Sequence, residues 1–257
     1  MELFAAFGPP ELWLLAYVIA FGAGVIKGVV GFAMPLMLLS GLSSFVAPDL
    51  ALACLILPTL LTNAWQALRQ GWRAALESIR RFRLFLLVGG ATLIVSAQLV
   101  PVLHAAVLLL IIAVPLVIYA ATSLAGRPLR LPPRPGRAVE AWMGGAAGII
   151  GGLSGVWGPI TVAMLTAMET EKREQVRIQG VIYGLGAVAL TGAHIGSGVL
   201  NAQTLPLSLA LVPPAILGIW TGFQIHDRID QPLFKRLTLW ILLIAGLNLL
   251  RRGLMLV

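Results

Sequence analysis

The residues with the greatest chemical potential surround two interruptions of long apolar segments. Gly24-xxx-Gly28-xx-Gly31-xxx-Pro35 recurs, 124 positions later, as Gly148-xxx-Gly152-xx-Gly155-xxx-Pro159. Because proline is tolerated in the first turn of a helix, Pro35 and Pro159 would each begin a new helical arm. The N-terminus of such an arm presents unpaired N–H groups and the positive end of the helix dipole. Each interruption therefore predicts a backbone site for an anion.

Several side chains could complete such a site. Lys27 is the basic residue deep within an apolar segment, and an intramembrane lysine is a functional candidate unless its side chain extends to the membrane surface. Neutral amides and hydroxyls suit weak, reversible anion binding, although hydrogen bonding between helices is the alternative. The candidate substrate-binding residues are Lys27, Gly31, Met34, Asn63, Gln66, Ser154, Gly155, Trp157, Gln179 and Tyr183.

The other glycines and the histidines have simpler interpretations. Close packing of helices would explain the glycines Gly24, Gly28, Gly148 and Gly152, but it explains the duplicated proline less well. His194 is a candidate proton relay, with packing at the outer end of its helix as the alternative. His104 and His226 are expected in solvated turns.

Composition indicates a membrane protein. Hydrophobic residues form 59% of the chain and charged residues only 11%, whereas soluble domains carry about 25% charged residues. Several apolar runs reach the roughly 20 residues that span a bilayer as a helix. The net charge of +8 lies mostly in loops between these runs, so membrane topology explains it better than nucleic-acid binding.

The sequence gives no indication of catalysis. It has no recognisable catalytic grouping, and its single cysteine, Cys54, excludes an internal disulfide or a cysteine metal cluster. We therefore expect no enzyme activity, no metal and no cofactor. The carboxylates all fall near segment ends or in loops, which disfavours a cation substrate and carboxylate-based proton coupling.

The chain divides into two similar halves of four apolar segments each. Residues 1–125 form the first half, 126–137 a basic cytoplasmic linker and 138–257 the second half. If both interrupted segments re-enter rather than cross, 15 basic loop residues lie inside and 2 outside, against 11 and 6 if both cross. The charge rule thus favours re-entrant hairpins. The second half would then insert upside down as an inverted repeat, with both hairpin tips near the midplane.

The segments Gly22–Ser40 and Gly145–Met164, within this two-half layout, resemble the sulfite exporter TauE/SafE family, also called TSUP. The resemblance implies transport of small sulfur-containing oxyanions, such as sulfite or organosulfonates, across the bacterial inner membrane. We expect a secondary anion transporter that works by alternating access. Its expected partners are a small anionic substrate, the lipid bilayer and a second copy of the chain in a homodimer. An anion channel and a non-transport membrane scaffold are the alternatives.

Overall fold

A computed structural model describes residues 9–97, 105–133, 135–154 and 158–255, and the regular elements in these ranges are all α-helices. In chain order they are α1 (Pro10–Val30), α2 (Met34–Leu42), α3 (Pro48–Leu68), α4 (Trp72–Arg81), α5 (Arg83–Ala97), α6 (Ala105–Leu124), α7 (Arg137–Ser154), α8 (Gly158–Ala167), α9 (Lys172–Gly196), α10 (Leu205–Ala210), α11 (Val212–Arg228) and α12 (Gln231–Leu254). This confirms the all-helical part of the prediction.

Five helical stretches of the described chain are long and apolar enough to cross a membrane. They are Pro10–Val30, Pro48–Leu68, Lys172–Gly196, Leu205–Arg228 and Gln231–Leu254. Shorter apolar helices cover Arg83–Ser96, Ala113–Leu124 and Gly158–Ala167. A helix of about 20 apolar residues matches the hydrocarbon thickness of a bilayer, so the protein is built as a multi-pass membrane protein.

The helices gather into two compact units that do not follow the order of the chain. Unit I comprises residues 1–75 and 176–230, and unit II comprises residues 76–175 and 231–257. Each unit therefore combines helices from both predicted halves of the sequence. The repeat relation between the halves remains a prediction.

Glycines bring α1 and α11 into backbone contact in unit I. A Cβ on Gly28 would lie 2.7 Å from the Cα of Gly222, and one on Gly24 would lie 3.1 Å from the Cα of Gly218. Two glycine pairs with the same four-residue spacing therefore face each other. Small residues at such spacing let membrane helices approach closely, so the packing interpretation is confirmed for Gly24 and Gly28.

In unit II, glycines likewise bring α5 and α7 into backbone contact. A Cβ on Gly144 would lie 2.8 Å from the Cα of Phe85, and one on Gly148 would lie 2.8 Å from the carbonyl carbon of Gly89. The packing interpretation therefore holds for Gly148 as well. The surroundings of Gly152 lie outside the described part of the chain.

In unit I, α2 folds back along α1. Gly41, near the end of α2, lies so close to Ile19 of α1 that an added Cβ would come within 2.8 Å of the Ile19 Cγ2 atom. Leu42 belongs to the same buried cluster as Trp13, which lies in the first turn of α1. The two helices therefore form an antiparallel hairpin that turns at residues 31–33.

In unit II, the linker that precedes α7 packs beside the end of α8. The backbone N–H of Leu131, in the linker before α7, donates to the carbonyl of Ala167, the last residue of α8, at 2.8 Å. Ile150 of α7 and Ile160 of α8 also pack in one apolar cluster. The linker before α7 and the C-terminal end of α8 therefore lie side by side.

Charged segments that are distant in sequence meet within unit I. The Arg69 guanidinium is 2.5 Å from the Asp227 carboxylate and lies 4.0 Å above the ring of Phe223. Arg177 donates to the side chain of Gln70. The C-terminal ends of α3 and α11 and the first turns of α9 thus share one end of unit I.

Unit II shows the same clustering. The Arg81 guanidinium is 2.5 Å from Glu174, while Glu169 forms ion pairs with Arg130, at 3.3 Å, and Lys235, at 3.6 Å. The end of α4, the linker, the turn before α9 and the first turn of α12 therefore lie together at one end of unit II.

Candidate functional site

Lys27 is a buried lysine near the end of α1. Its side chain is 1% exposed, and its Nζ donates to the Oδ1 of Asn63 on α3, which is itself 2% exposed. Among the residues that the structure describes, no carboxylate pairs with Lys27. A buried charge is costly unless it is paired, so a protonated Lys27 would need a counter-charge that the described residues do not supply.

The interruption beside Lys27 consists of two left-handed backbone positions. Gly31 ends α1 with φ +89°, and its N–H donates to the Lys27 carbonyl at 2.7 Å. Ala33 adopts φ +77°, a conformation that costs a non-glycine residue roughly 1–2 kcal/mol. Strain of this kind concentrates at functional sites.

The second arm of the hairpin begins without a side-chain cap. Ala33 is its N-cap, Met34 and Pro35 form its first positions, and no side chain accepts a hydrogen bond from its first turn. Met34 is fully buried, and its sulfur lies 3.5 Å from the Thr62 hydroxyl of α3. The N-terminus of α2 thus carries the features predicted for an anion site, within a buried setting.

Two glutamine amides hold the carbonyl of Gly31. Gln66 of α3 donates from Nε2 to the Gly31 carbonyl at 3.0 Å and to the Val176 carbonyl at 2.7 Å. The Gln179 side chain of α9 also faces this turn, and its amide is assigned with the nitrogen toward the carbonyls of Gly31 at 3.1 Å and Val30 at 3.0 Å, because only that orientation makes hydrogen bonds there. Both amide groups therefore bind the backbone of the hairpin turn.

One polar atom beside the turn has no hydrogen-bond partner among the described residues. It is the buried Oε1 atom of Gln66. Gly31 itself is enclosed, because a Cβ at this position would overlap the Gln179 amide and lie 3.3 Å from Gln66 Nε2. Glycine is thus required here by both the positive φ and the lack of space.

A serine replaces a hydrogen bond that proline removes from α3, the helix that carries Asn63 and Gln66. Pro58 lies inside this helix and has no N–H, so the carbonyl of Cys54 loses its helical donor. The Ser208 hydroxyl of α10 donates to that carbonyl at 3.1 Å. Thr62 in turn donates to the Pro58 carbonyl at 2.6 Å. Sequence reasoning missed Ser208, which is a single serine within an apolar helix.

The expectation that His226 is solvated is wrong. His226 lies in α11, is 0% exposed, and places Nδ1 2.9 Å from the Val29 carbonyl. It falls four residues after Gly222, on the helix face that packs against α1. Gly218, Gly222 and His226 are spaced four residues apart, and this spacing was the sequence signal that His226 lies on the packed face of α11.

Other predicted residues lie elsewhere. Tyr183 is half-buried, one turn beyond Gln179 on α9. His194 lies fifteen residues beyond Gln179, about 22 Å along the helix, so it is not part of the Lys27 cluster. Ser154 ends α7 in unit II; its side chain, with Gly155 and Trp157, lies outside the described residues, as does His104.

The described residues include no group of three or more histidine, cysteine, aspartate or glutamate side chains placed to hold a metal ion. The unit I site consists of a buried lysine and a helix N-terminus, and two glutamine amides hold the strained turn between them. Such groups can bind an anion reversibly.

The membrane-length helices indicate a multi-pass membrane protein, and an interrupted helix beside a buried lysine is an arrangement typical of transport proteins. The Sulfite exporter TauE/SafE family matches residues 16–249 of the chain. Because this match covers most of the sequence, the protein belongs to that family, and the predicted resemblance is confirmed. The family consists of transporters, which agrees with the expectation that the protein is not an enzyme. No curated protein and no solved structure matches the chain.

Proposed function

We propose that this protein is a secondary transporter that moves a small sulfur-containing anion, sulfite or an organosulfonate, across the bacterial inner membrane. The observation that carries the proposal is Lys27, which is buried beside the uncapped N-terminus of α2 and has no described carboxylate partner. An anion at residues 31–34 would supply the missing counter-charge and accept hydrogen bonds from the first turn of α2.

The side chains around this site divide into two roles. Lys27 and the first turn of α2 bind the anion, and Asn63 orients the ammonium group through its Oδ1 atom. Gln66 and Gln179 act as positioning residues, because their amide hydrogens are used by backbone carbonyls of the turn. Met34 and Tyr183 form the wall of the site.

The second interruption is proposed to serve the same anion. Ser154, Gly155 and Trp157 remain the candidate ligands there, on the grounds of their sequence alone. The duplicated glycine and proline pattern supports this assignment, since paired interrupted helices mark the binding sites of transporters built from repeats.

We further propose that both interrupted segments are re-entrant and that the two halves form an inverted repeat. Two observations support this topology. The α1–α2 segment folds back on itself, and contacts such as Arg69–Asp227 and Arg81–Glu174 join segments that would lie on opposite membrane faces if the interrupted segments crossed. The charge rule favours the same arrangement.

The transport direction follows from charge in this proposal. An inside-negative potential drives a monovalent anion outward by about 2.3 kcal/mol per 100 mV. Export therefore requires no coupling ion, which agrees with the lack of a carboxylate beside Lys27 among the described residues. Alternating access would come from relative movement of the repeats.

A ligand panel tests the proposal on the detergent-purified protein. The thermal melting temperature is measured with sulfite, thiosulfate, sulfate, taurine, isethionate, sulfoacetate and chloride. We expect saturable stabilisation by one sulfur-containing anion, since a ligand that binds only the folded state stabilises it. No shift with any anion would instead favour the scaffold. Flux that neither saturates nor shows counterflow in proteoliposomes would favour a channel.

A further inference from the structure

A second basic site belongs to unit II, whereas Lys27 belongs to unit I. A cavity of about 610 Å³ opens where α5 and α7 begin. Its volume falls within the range of roughly 300–1,000 Å³ that is typical of small-molecule sites. Its lining residues are Arg80, Arg81, Arg83, Leu84, Leu87, Arg137 and Glu140.

Most of the positive charge in this cavity is uncompensated. Arg81 pairs with Glu174 and donates to the Pro133 carbonyl at 2.9 Å. The other three arginines make no ion pair with any described residue. They are Arg80, Arg83 and Arg137.

The single carboxylate of the cavity is already engaged. Glu140 accepts a hydrogen bond from the backbone N–H of Phe85 at 3.2 Å, which ties the first turn of α7 to that of α5. One carboxylate therefore faces four arginines, and the cavity keeps an excess of positive charge.

Two of these arginines occupy unfavourable helix positions. Arg83 is the first residue of α5 and Arg137 the first residue of α7. The N-terminal end of a helix carries partial positive charge, so it disfavours cations and favours anions. The two N-termini lie together because α5 and α7 pack along their glycines. A bound anion would relieve both conflicts at once.

An exposed apolar stripe continues from the cavity. Leu84 and Leu87 line it, and Leu87 is 71% exposed, as are Ile94 at 67% and Val95 at 66% further along α5. Positions 87 and 94 are seven residues apart and fall on one helix face. Trp142 of α7 is 73% exposed near the same end, and tryptophan is enriched at the membrane surface.

We propose that this cavity binds the headgroup of an anionic phospholipid, with an acyl chain lying along the exposed face of α5. The arginines would hold the phosphate, and the leucines would meet the glycerol and the first part of the chain. Basic cavities between helix ends at the cytoplasmic surface suit such headgroups. Leu84 and Leu87, which line the cavity beside the arginines, favour a ligand with an apolar part over a soluble phosphate.

Lipid titration of the purified full-length protein tests this proposal. The double variant Arg83→Gln/Arg137→Gln is compared with Arg251→Gln/Arg252→Gln, which removes the same charge at the last turn of α12. Phosphatidylglycerol, phosphatidylcholine and glycerol 1-phosphate are added separately, and the melting temperature and the bound lipid seen by native mass spectrometry are measured.

We expect saturable binding of phosphatidylglycerol to the wild type and to the Arg251/Arg252 variant, and affinity about 30-fold weaker in the Arg83/Arg137 variant. Phosphatidylcholine and glycerol 1-phosphate should give little effect. Equal lipid affinity in both double variants would overturn the proposal, as would glycerol 1-phosphate binding as tightly as the lipid. If the Arg83/Arg137 variant does not fold, Arg80→Gln at an exposed position should show a loss of about fivefold.

Discussion

Polar and charged groups in the interior of unit I are arranged differently from those at the charged ends of both units. Around Lys27, side chains are almost fully buried, and their hydrogen bonds go to the turn at residues 31–33 or to each other. At the ends, Arg69, Arg81 and Lys235 pair with carboxylates while partly exposed to solvent. Buried polar groups are expensive to disrupt, whereas exposed ion pairs contribute about 0–1 kcal/mol. Matched substitutions in the two regions should therefore differ sharply.

The largest difference in anion affinity is expected between substitutions of two lysines. Lys27→Met should weaken the affinity for the preferred anion at least about 30-fold, because removal of one member of a buried charge pair costs 2–5 kcal/mol or more. Lys235→Met removes a lysine that pairs with Glu169 at 3.6 Å and should leave the anion response unchanged. Both are measured as anion-dependent melting shifts. Equal responses in the two variants would remove Lys27 from the site.

Two glycines with the same backbone conformation provide the next comparison. Gly31 and Gly71 have φ +89° and +88°, but a Cβ on Gly71 would meet nothing within 4 Å. Each alanine variant bears the left-handed strain of roughly 1–2 kcal/mol, and only Gly31→Ala also displaces the Gln179 amide. We expect a clearly lower melting temperature for Gly31→Ala than for Gly71→Ala. Similar melting temperatures would contradict the tight enclosure of the turn.

Substitutions of Gln66 and Gln70 compare a residue that positions the turn with a residue that makes a contact at the surface. Gln66→Met removes two donor interactions to backbone carbonyls, each worth about 1 kcal/mol. If Gln66 holds the turn without touching the anion, the variant should lower the transport rate about tenfold and shift the half-saturating concentration less. Gln70→Met, at an exposed pair with Arg177, should change neither. A loss confined to anion affinity would make Gln66 a direct ligand.

The smallest effect is expected at the end of unit I. Arg69→Gln breaks the pair with Asp227 and the contact with the Phe223 ring. Because the pair is partly exposed, the loss of stability should be about 1 kcal/mol or less and should shrink as salt is raised. Melting curves at low and high ionic strength measure this loss of stability and its dependence on salt. A larger, salt-independent loss would mean that this end is organised like the interior.

The sequence predicted the positions of the interruptions because glycine and proline act locally on the backbone. Lys27 was predicted for a similar reason, since one basic residue in an apolar segment stands out by composition. The structure places both features together, at the end of α1 and the start of α2.

The partners of these residues could not be predicted in the same way. Gln66 and Gln179 were predicted to bind substrate, yet their donors reach Gly31 from 35 and 148 positions away in the chain. His226 was misplaced because it lies close to charged residues in sequence but faces α1 in the fold. The interleaving of the two halves into units I and II likewise depends on contacts such as Gly28–Gly222, which no local pattern specifies.

The most direct test of the central claim is counterflow of labelled anion in proteoliposomes. The anion that best stabilises the protein is loaded inside, and uptake of trace label is compared for the wild type, Lys27→Met and Lys235→Met. We predict transient, saturable accumulation of label with the wild type and Lys235→Met, and background uptake with Lys27→Met. Counterflow at the wild-type rate in a folded Lys27→Met protein would contradict the assignment of the transport site to the interruption between α1 and α2.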